Sequence, residues 1–288
     1  MEPTWKEYLP IFRRSLLSSF ENRTFSIAKG AAYSALLSFF PVLTSAAAIL
    51  VQTKAEFVSK TISEFLFEVV PPGADELVRY QFAVKGQRPI VLLVVAAVLA
   101  ICAASGLVGS LIQGFQETYR SQKGRPFFKN MAVSMALVIL LALPLLAACA
   151  VLLFGTYIDR IVMRVLSVDE IFSPVAVYWH LATRVARYVV AFGGLVSVTS
   201  LLYYYGPVRR QRWSRVWRGA VLSTALWLVA TEVFGWYVAH LANYNVVYGS
   251  VATSIALLVW MYIMSLIALL GCEFNAEYER TAAQLSSL

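Results

Sequence analysis

The sequence predicts an all-α protein: a polytopic membrane helix bundle with six transmembrane helices plus interfacial amphipathic helices. Three observations predict it. Six apolar stretches, at residues 31–51, 89–112, 131–157, 185–204, 220–240 and 251–272, are separated by polar breaks. Each is about 20 residues or more, the length at which a helix crosses roughly 30 Å of hydrocarbon. Within them stands a single carboxylate, Glu232. The composition agrees: 59% of the 288 residues are hydrophobic and 14% charged, where a soluble domain carries about 25% charged residues. The length suits one integral membrane domain, divided into an amphipathic segment (1–30), the bundle (31–272) and a tail (273–288). No cleavable signal peptide is expected, because some thirty largely polar residues precede the first apolar run.

Residues 4–23 read as an amphipathic helix kinked at Pro10, with Leu9, Phe12, Leu16, Leu17 and Phe20 at helical spacing. It either lies in the membrane interface or packs on the rim of the bundle. The first span carries Pro41 at its middle, a hinge or packing position, with Ser34, Ser38, Thr44 and Ser45 around it. Gly30, Ser34 and Ser38 form a small-residue stripe. In the long connection 52–88, Val58, Ile62, Phe65, Leu66 and Val69 predict a surface helix stopped at Pro71-Pro72-Gly73, with a shorter helical piece at 74–84.

The second span is rich in small residues. Gly106, Ser110 and Gly114 repeat every four, which predicts a face buried against other helices. Gln113, Gln116 and Glu117 close it. The third span, with Pro144 and little else polar, reads as lipid-facing. After the connection 159–183 the fourth span opens with Arg184 and Arg187 and ends in Tyr203-Tyr204-Tyr205, an interfacial anchor cluster. Then Arg209, Arg210, Arg212, Trp213, Arg215 and Trp217 alternate cation with aromatic, a pattern suited to lipid headgroups. Such interleaving also binds RNA, but its position against a span favours lipid, and nucleic acid is not an expected partner.

Charge sets the orientation. The side holding both termini carries 15 Lys and Arg, the other side 9 over longer connections. The positive-inside rule then places both termini in the cytoplasm, with anionic headgroups of the cytoplasmic leaflet as partners. Cys102, Cys149 and Cys272 lie in or at the ends of spans without pairing motifs and read as small buried hydrophobes.

Glu232 is the sharpest candidate for chemistry. A carboxylate near mid-span costs a few kcal/mol, so it is expected to face the interior, to pair with a cation such as Arg187, or to be protonated. His240, Tyr244, Asn245 and Tyr248 crowd the short turn between the last two spans, as a headgroup or substrate site or simply as turn chemistry. Gln113, Glu117, Glu273 and Asn275 fall at one membrane boundary, as a polar gate or as interface anchors. His180 and His240 lack a ligand set, so no metal is expected. No Walker loop, nucleophile elbow or zinc-protease motif occurs. The chain is therefore expected not to be an enzyme and to need no cofactor.

Three stretches carry a resemblance. They are Gly30-Ala31-Ala32-Tyr33-Ser34-Ala35-Leu36-Leu37-Ser38-Phe39-Phe40-Pro41, the Arg-Trp segment entering Gly219-Ala220, and Tyr248-Gly249-Ser250 through Trp260-Met261-Tyr262 to Leu269-Leu270-Gly271-Cys272-Glu273-Phe274-Asn275. Together they resemble the YihY/BrkB family of bacterial inner-membrane proteins. The resemblance implies six spans and a virulence- or serum-resistance context. It also implies a ribonuclease BN label generally regarded as mistaken and, from one branch, export of a lipid A precursor. It supplies no catalytic residues. Two functions are left standing: a transporter or lipid translocase for an amphipathic substrate, or a non-transporting scaffold or envelope-assembly factor. Homo-oligomerisation and envelope protein partners are left open. A ribonuclease would need a water-facing acid–base or metal cluster that the sequence does not offer.

Overall fold

The computed structural model describes residues 3, 7–52, 90–121, 124–165, 174–209, 211–240 and 252–286. They form seven α-helices: α1 (Tyr8–Glu21), α2 (Thr24–Gln52), α3 (Ile90–Thr118), α4 (Phe127–Val165), α5 (Pro174–Tyr205), α6 (Trp213–His240) and α7 (Ala252–Ser286). Helices α2 to α7 are each long and apolar enough to cross a membrane. The protein is thus an all-α multi-pass membrane bundle, and six spans place both ends of the chain on one side, here called the terminal face. The predicted surface helices at 58–69 and 74–84 lie outside the described residues.

Every predicted span is one helix, and the helices outrun the apolar runs. α4 has 39 residues and α7 has 35, about 58 and 52 Å at 1.5 Å per residue. Most of the expected connection 159–183 is therefore helix. The expected tail is helix too: residues 271–278 of α7 are buried without interruption. Hydropathy marks where a helix can meet lipid, but does not mark where a polar helix is buried by its neighbours.

The six spans pack in chain order into a closed ring, α7 returning to α2, and α7 also touches α3. The main core gathers Ala28, Ala31, Ile112, Phe115, Tyr203, Ala220, Leu269 and Cys272 toward the terminal face. Small residues set this closeness. A Cβ on Gly219 would meet the Gly271 carbonyl, and one on Gly271 would meet Ser223 Oγ. These backbones touch, as small residues allow in membrane helices. α4 buries little of itself, with Ser134, Leu137 and Ala148 its buried residues among those described, as its apolar circumference predicts.

α2 and α4 run through Pro41 and Pro144 without a break. Around Pro41 the hydroxyls of Ser38, Thr44 and Ser45 donate to the carbonyls of Ala35, Phe40 and Pro41, each at 2.8 Å. α1 inverts the usual pattern. Ile11, Ser15 and Ser19 are its buried residues, the two hydroxyls donating to Ile11 O and Ser15 O at 2.8 Å. Ile11 joins Phe274 and Tyr278 of α7, while Leu9, Leu16, Leu17 and Phe20 are exposed. The small face packs against α7, as the rim reading has it, with Phe12 beside it, and the rest of the apolar stripe points outward. Arg23, with φ 54 in the left-handed region, turns the chain from α1 into α2.

Candidate functional site

Two polar regions occupy the terminal half. The first is a hub around α7. The fully buried Glu273 accepts hydrogen bonds from Asn22 Nδ2 and Thr118 Oγ1, both at 2.9 Å. Glu277 accepts from Ser18 Oγ at 2.9 Å and from Arg280, whose other nitrogen donates to Thr118 O at 2.9 Å. Asn275 straddles the α6 backbone, accepting from Gly219 N at 2.8 Å and donating to Val216 O at 3.0 Å. Further along the same seam Ser223 donates to Ile267 O at 3.2 Å and Trp227 Nε1 to Met264 O at 2.8 Å. Tyr203 reaches in from α5, donating to Ala268 O at 2.5 Å with Ser223 Oγ 2.8 Å away. Positions 216, 219, 223 and 227 follow one stripe of α6, so the seam is a product of helical spacing.

The second region is a cleft of about 620 Å³ between α3 and α4. Cys102, Ser105, Gly106, Gly109, Ser110, Gln113 and Gln116 line it from α3, and Phe127, Asn130, Met131 and Ser134 from α4. Both sets recur every three or four residues, so each is a single helix face. The α3 face runs 14 positions, about 21 Å, within the apolar lengths of both helices. At the mouth Arg125 donates to the carbonyls of Gly206, Tyr205 and Pro207 at 2.7, 3.2 and 3.2 Å, where a cation suits the C-terminal end of α5. Partial burial lowers the Arg125 pKa, but a guanidinium stays charged. Asn130 Oδ1 is buried without a hydrogen-bond partner. Gly106 has nothing within 4 Å of where a Cβ would stand. Among the described residues no group of three or more His, Cys, Asp or Glu side chains gathers that would hold a metal ion.

Several sequence expectations divide here. The Gly106, Ser110 and Gly114 stripe is not one buried face. Gly114 is jammed against Leu269 and Ile27, whereas Gly106 and Ser110 open on the cleft, Ser110 also lying 3.4 Å from Ser34. Gly30 is likewise open. Gln113 and Glu117 are exposed while Glu273 and Asn275 are buried, so the four form no ring; Gln113 belongs to the cleft. Tyr203 is 1% exposed and anchors the hub, not the interface. Cys272 is buried, but Cys102 is exposed in the cleft.

Glu232 does not face the interior. It is exposed on α6, because the α6 stripe that meets α7 at 216, 219, 223 and 227 leaves position 232 on another face. Arg187 does not pair with it: its side chain lies over Gly155 of α4, with Nε donating to Thr183 O at 3.3 Å. Arg184 is exposed. His240 stacks on Trp236 and bonds its own helix at Trp236 O, 3.0 Å. Tyr244, Asn245, Tyr248 and Arg210 lie outside the described residues. Arg209, Arg212, Trp213 and Trp217 are exposed and Arg215 is half-buried, at the start of α6.

Asn130, Ser134 and Ser105 escaped the sequence reading because each is an unremarkable small or boundary residue, and Cys102 was read only as a buried hydrophobe. The signal was the shared spacing of Cys102 and Ser105 with Gly106, Gly109 and Gln113 on α3 and of Asn130 with Ser134 on α4, whose meaning only the pairing of the two helices reveals.

A model of the family described as virulence factor BrkB matches residues 17–287. The chain is 27% identical over 85% of its length to a putative ribonuclease-like protein, YfkH, of Bacillus subtilis (strain 168), covering 86% of that protein. It is 25% identical over 85% of its length to a UPF0761 membrane protein of Tolumonas auensis, covering 77% of it. A UPF0761 membrane protein of Aeromonas salmonicida is 23% identical over 95% of the chain and 91% of its own length. No solved structure matches.

Proposed function

The chain belongs to the BrkB virulence-factor family, and on that premise we propose that it translocates an amphipathic lipid substrate, taking the polar head into the α3–α4 cleft while the acyl chains stay in the surrounding lipid. The observation that carries this reading is the cleft itself: donors and acceptors with open volume beside them, inside the apolar band. A polar group in hydrocarbon must find a partner, and here Ser105, Gln113, Gln116, Asn130 and Ser134 offer partners to a headgroup. Gly106 and Gly109 leave it room. The excess of Lys and Arg on the terminal face supports a cytoplasmic mouth at Arg125, where that guanidinium would meet an anionic headgroup first. The protein acts as a carrier, not an enzyme.

The test is lipid flipping by the purified chain in vesicles carrying a fluorescent phospholipid, read by quenching from one side. Gly106→Leu places a side chain in the cleft at a position where a Cβ meets nothing within 4 Å and is expected to slow flipping roughly tenfold, about 1.4 kcal/mol. Wild-type protein that leaves flipping at the rate of empty vesicles favours the scaffold reading.

A further inference from the structure

A second cavity, of about 300 Å³, opens on the terminal face at the edge of the hub, with which it shares Arg280, and the translocation pathway does not account for it. Tyr119, Arg120, Arg209, Ala276, Glu279, Arg280 and Ala283 line it. It draws on three separate parts of the chain: the end of α3, the α5–α6 connection and one face of α7.

One arginine is held in place and two are exposed beside a carboxylate. Arg280 is fixed by Glu277 and Thr118 O. Arg209 lies 4.0 Å from Glu279, and Arg120 3.7 Å from Glu21. Glu21, Glu277 and Glu279 offset these three cations and Glu273 also interacts with Arg280, while Arg212 and Arg215 have fields that reach Glu279; five arginines against four carboxylates leave the neighbourhood positive by one charge. The end of α3 would repel an anion through its free carbonyls, but Arg280 covers the one on Thr118. Burial holds the Tyr119 phenol well above its ordinary range, so its hydroxyl remains a donor.

Arg120 supplies an independent observation. It sits at φ 48, in the left-handed region. Ser121 N donates to Gln116 O at 3.0 Å and Arg120 N to Glu117 O at 2.9 Å, the pattern of a helix end that glycine normally closes. An arginine bears a steric cost there that glycine does not. The fold tolerates that cost at the one residue of this helix end that brings a guanidinium to the cavity.

We propose that this cavity binds a phosphate group, with Arg120, Arg209 and Arg280 as its donors. The phosphate belongs either to a phosphomonoester lipid at the membrane surface or to a soluble phosphate compound. The site is separate from the cleft, and it stands whether or not the chain flips lipid.

The test uses the full chain in detergent and in nanodiscs. Thermal stability is followed against inorganic phosphate, with chloride at matched ionic strength, and lipid retention is followed by native mass spectrometry with phosphatidic acid against phosphatidylcholine. Stabilisation by inorganic phosphate identifies a soluble source; retention of phosphatidic acid alone identifies a lipid source. Arg120→Gly keeps the helix end in its favoured conformation and removes the guanidinium, so apparent affinity is expected to fall roughly tenfold in a folded protein. Ala283→Leu fills the cavity with every arginine left in place and is expected to have a similar effect, while Arg14→Gln, on the exposed side of α1, leaves binding intact. No response to either probe overturns the site. So does a response that survives Arg120→Gly and Ala283→Leu, or one that Arg14→Gln weakens equally.

Discussion

The hub and the cleft lie side by side, and both are polar, yet they differ in what their polar atoms face. In the hub, Glu273, Asn275, Glu277, Tyr203 and Arg280 meet partners from α1, α3, α5 and α6 at hydrogen-bond distance. In the cleft, Ser105, Gln113 and Asn130 line open volume; each region also holds one buried oxygen without a hydrogen-bond partner, Asn130 Oδ1 beside the cleft and Glu273 Oε2 in the hub, so the open volume is what separates them. The difference teaches that polarity inside a membrane protein does not by itself mark a binding site. Buried polar groups that satisfy one another rigidify a fold; those beside empty space are free to receive a ligand.

The contrast can be broken in order of expected effect. Gly271→Val drives a side chain into the Gly219 carbonyl and Ser223; it is expected to cost about 3 kcal/mol or more, seen as lost monodisperse protein on size exclusion. Asn275→Leu removes two hydrogen bonds to the α6 backbone and is expected to cost about 2 kcal/mol, measured as a lowered unfolding midpoint. The native cysteines report the same contrast without disturbing it. In a Cys149→Ser background, N-ethylmaleimide is expected to modify Cys102 in the native protein and Cys272 only after denaturation. Equal labelling would show that the hub is no tighter than the cleft. Gly106→Leu is expected to change stability by no more than about 0.5 kcal/mol while slowing flipping; a large loss of stability would mean that the cleft is packed. The smallest effect is expected from Glu232→Gln. The carboxylate is exposed, so the unfolding midpoint should hold to within about 0.5 kcal/mol and the flipping rate should be unchanged.

The six long helices were legible because length and hydropathy are local properties. The Gly219, Gly271 and Asn275 region was legible in part: the sequence marked the segments without assigning them a partner. Glu232 shows the limit from the other side. Its rarity in a span was visible, but the direction it faces depends on which stripe of α6 meets α7. The cleft was hidden for the same reason, since neither Asn130 nor Gly106 is unusual alone.

By itself the sequence determined that this chain crosses the membrane six times, because twenty apolar residues in a helix satisfy their own backbone and belong in hydrocarbon. Only the tertiary structure decided which polar residues became partners and which were left facing a cleft. That choice follows from the close approach of small residues at Gly219, Gly271 and Gly114, which fixes how each helix is turned about its axis.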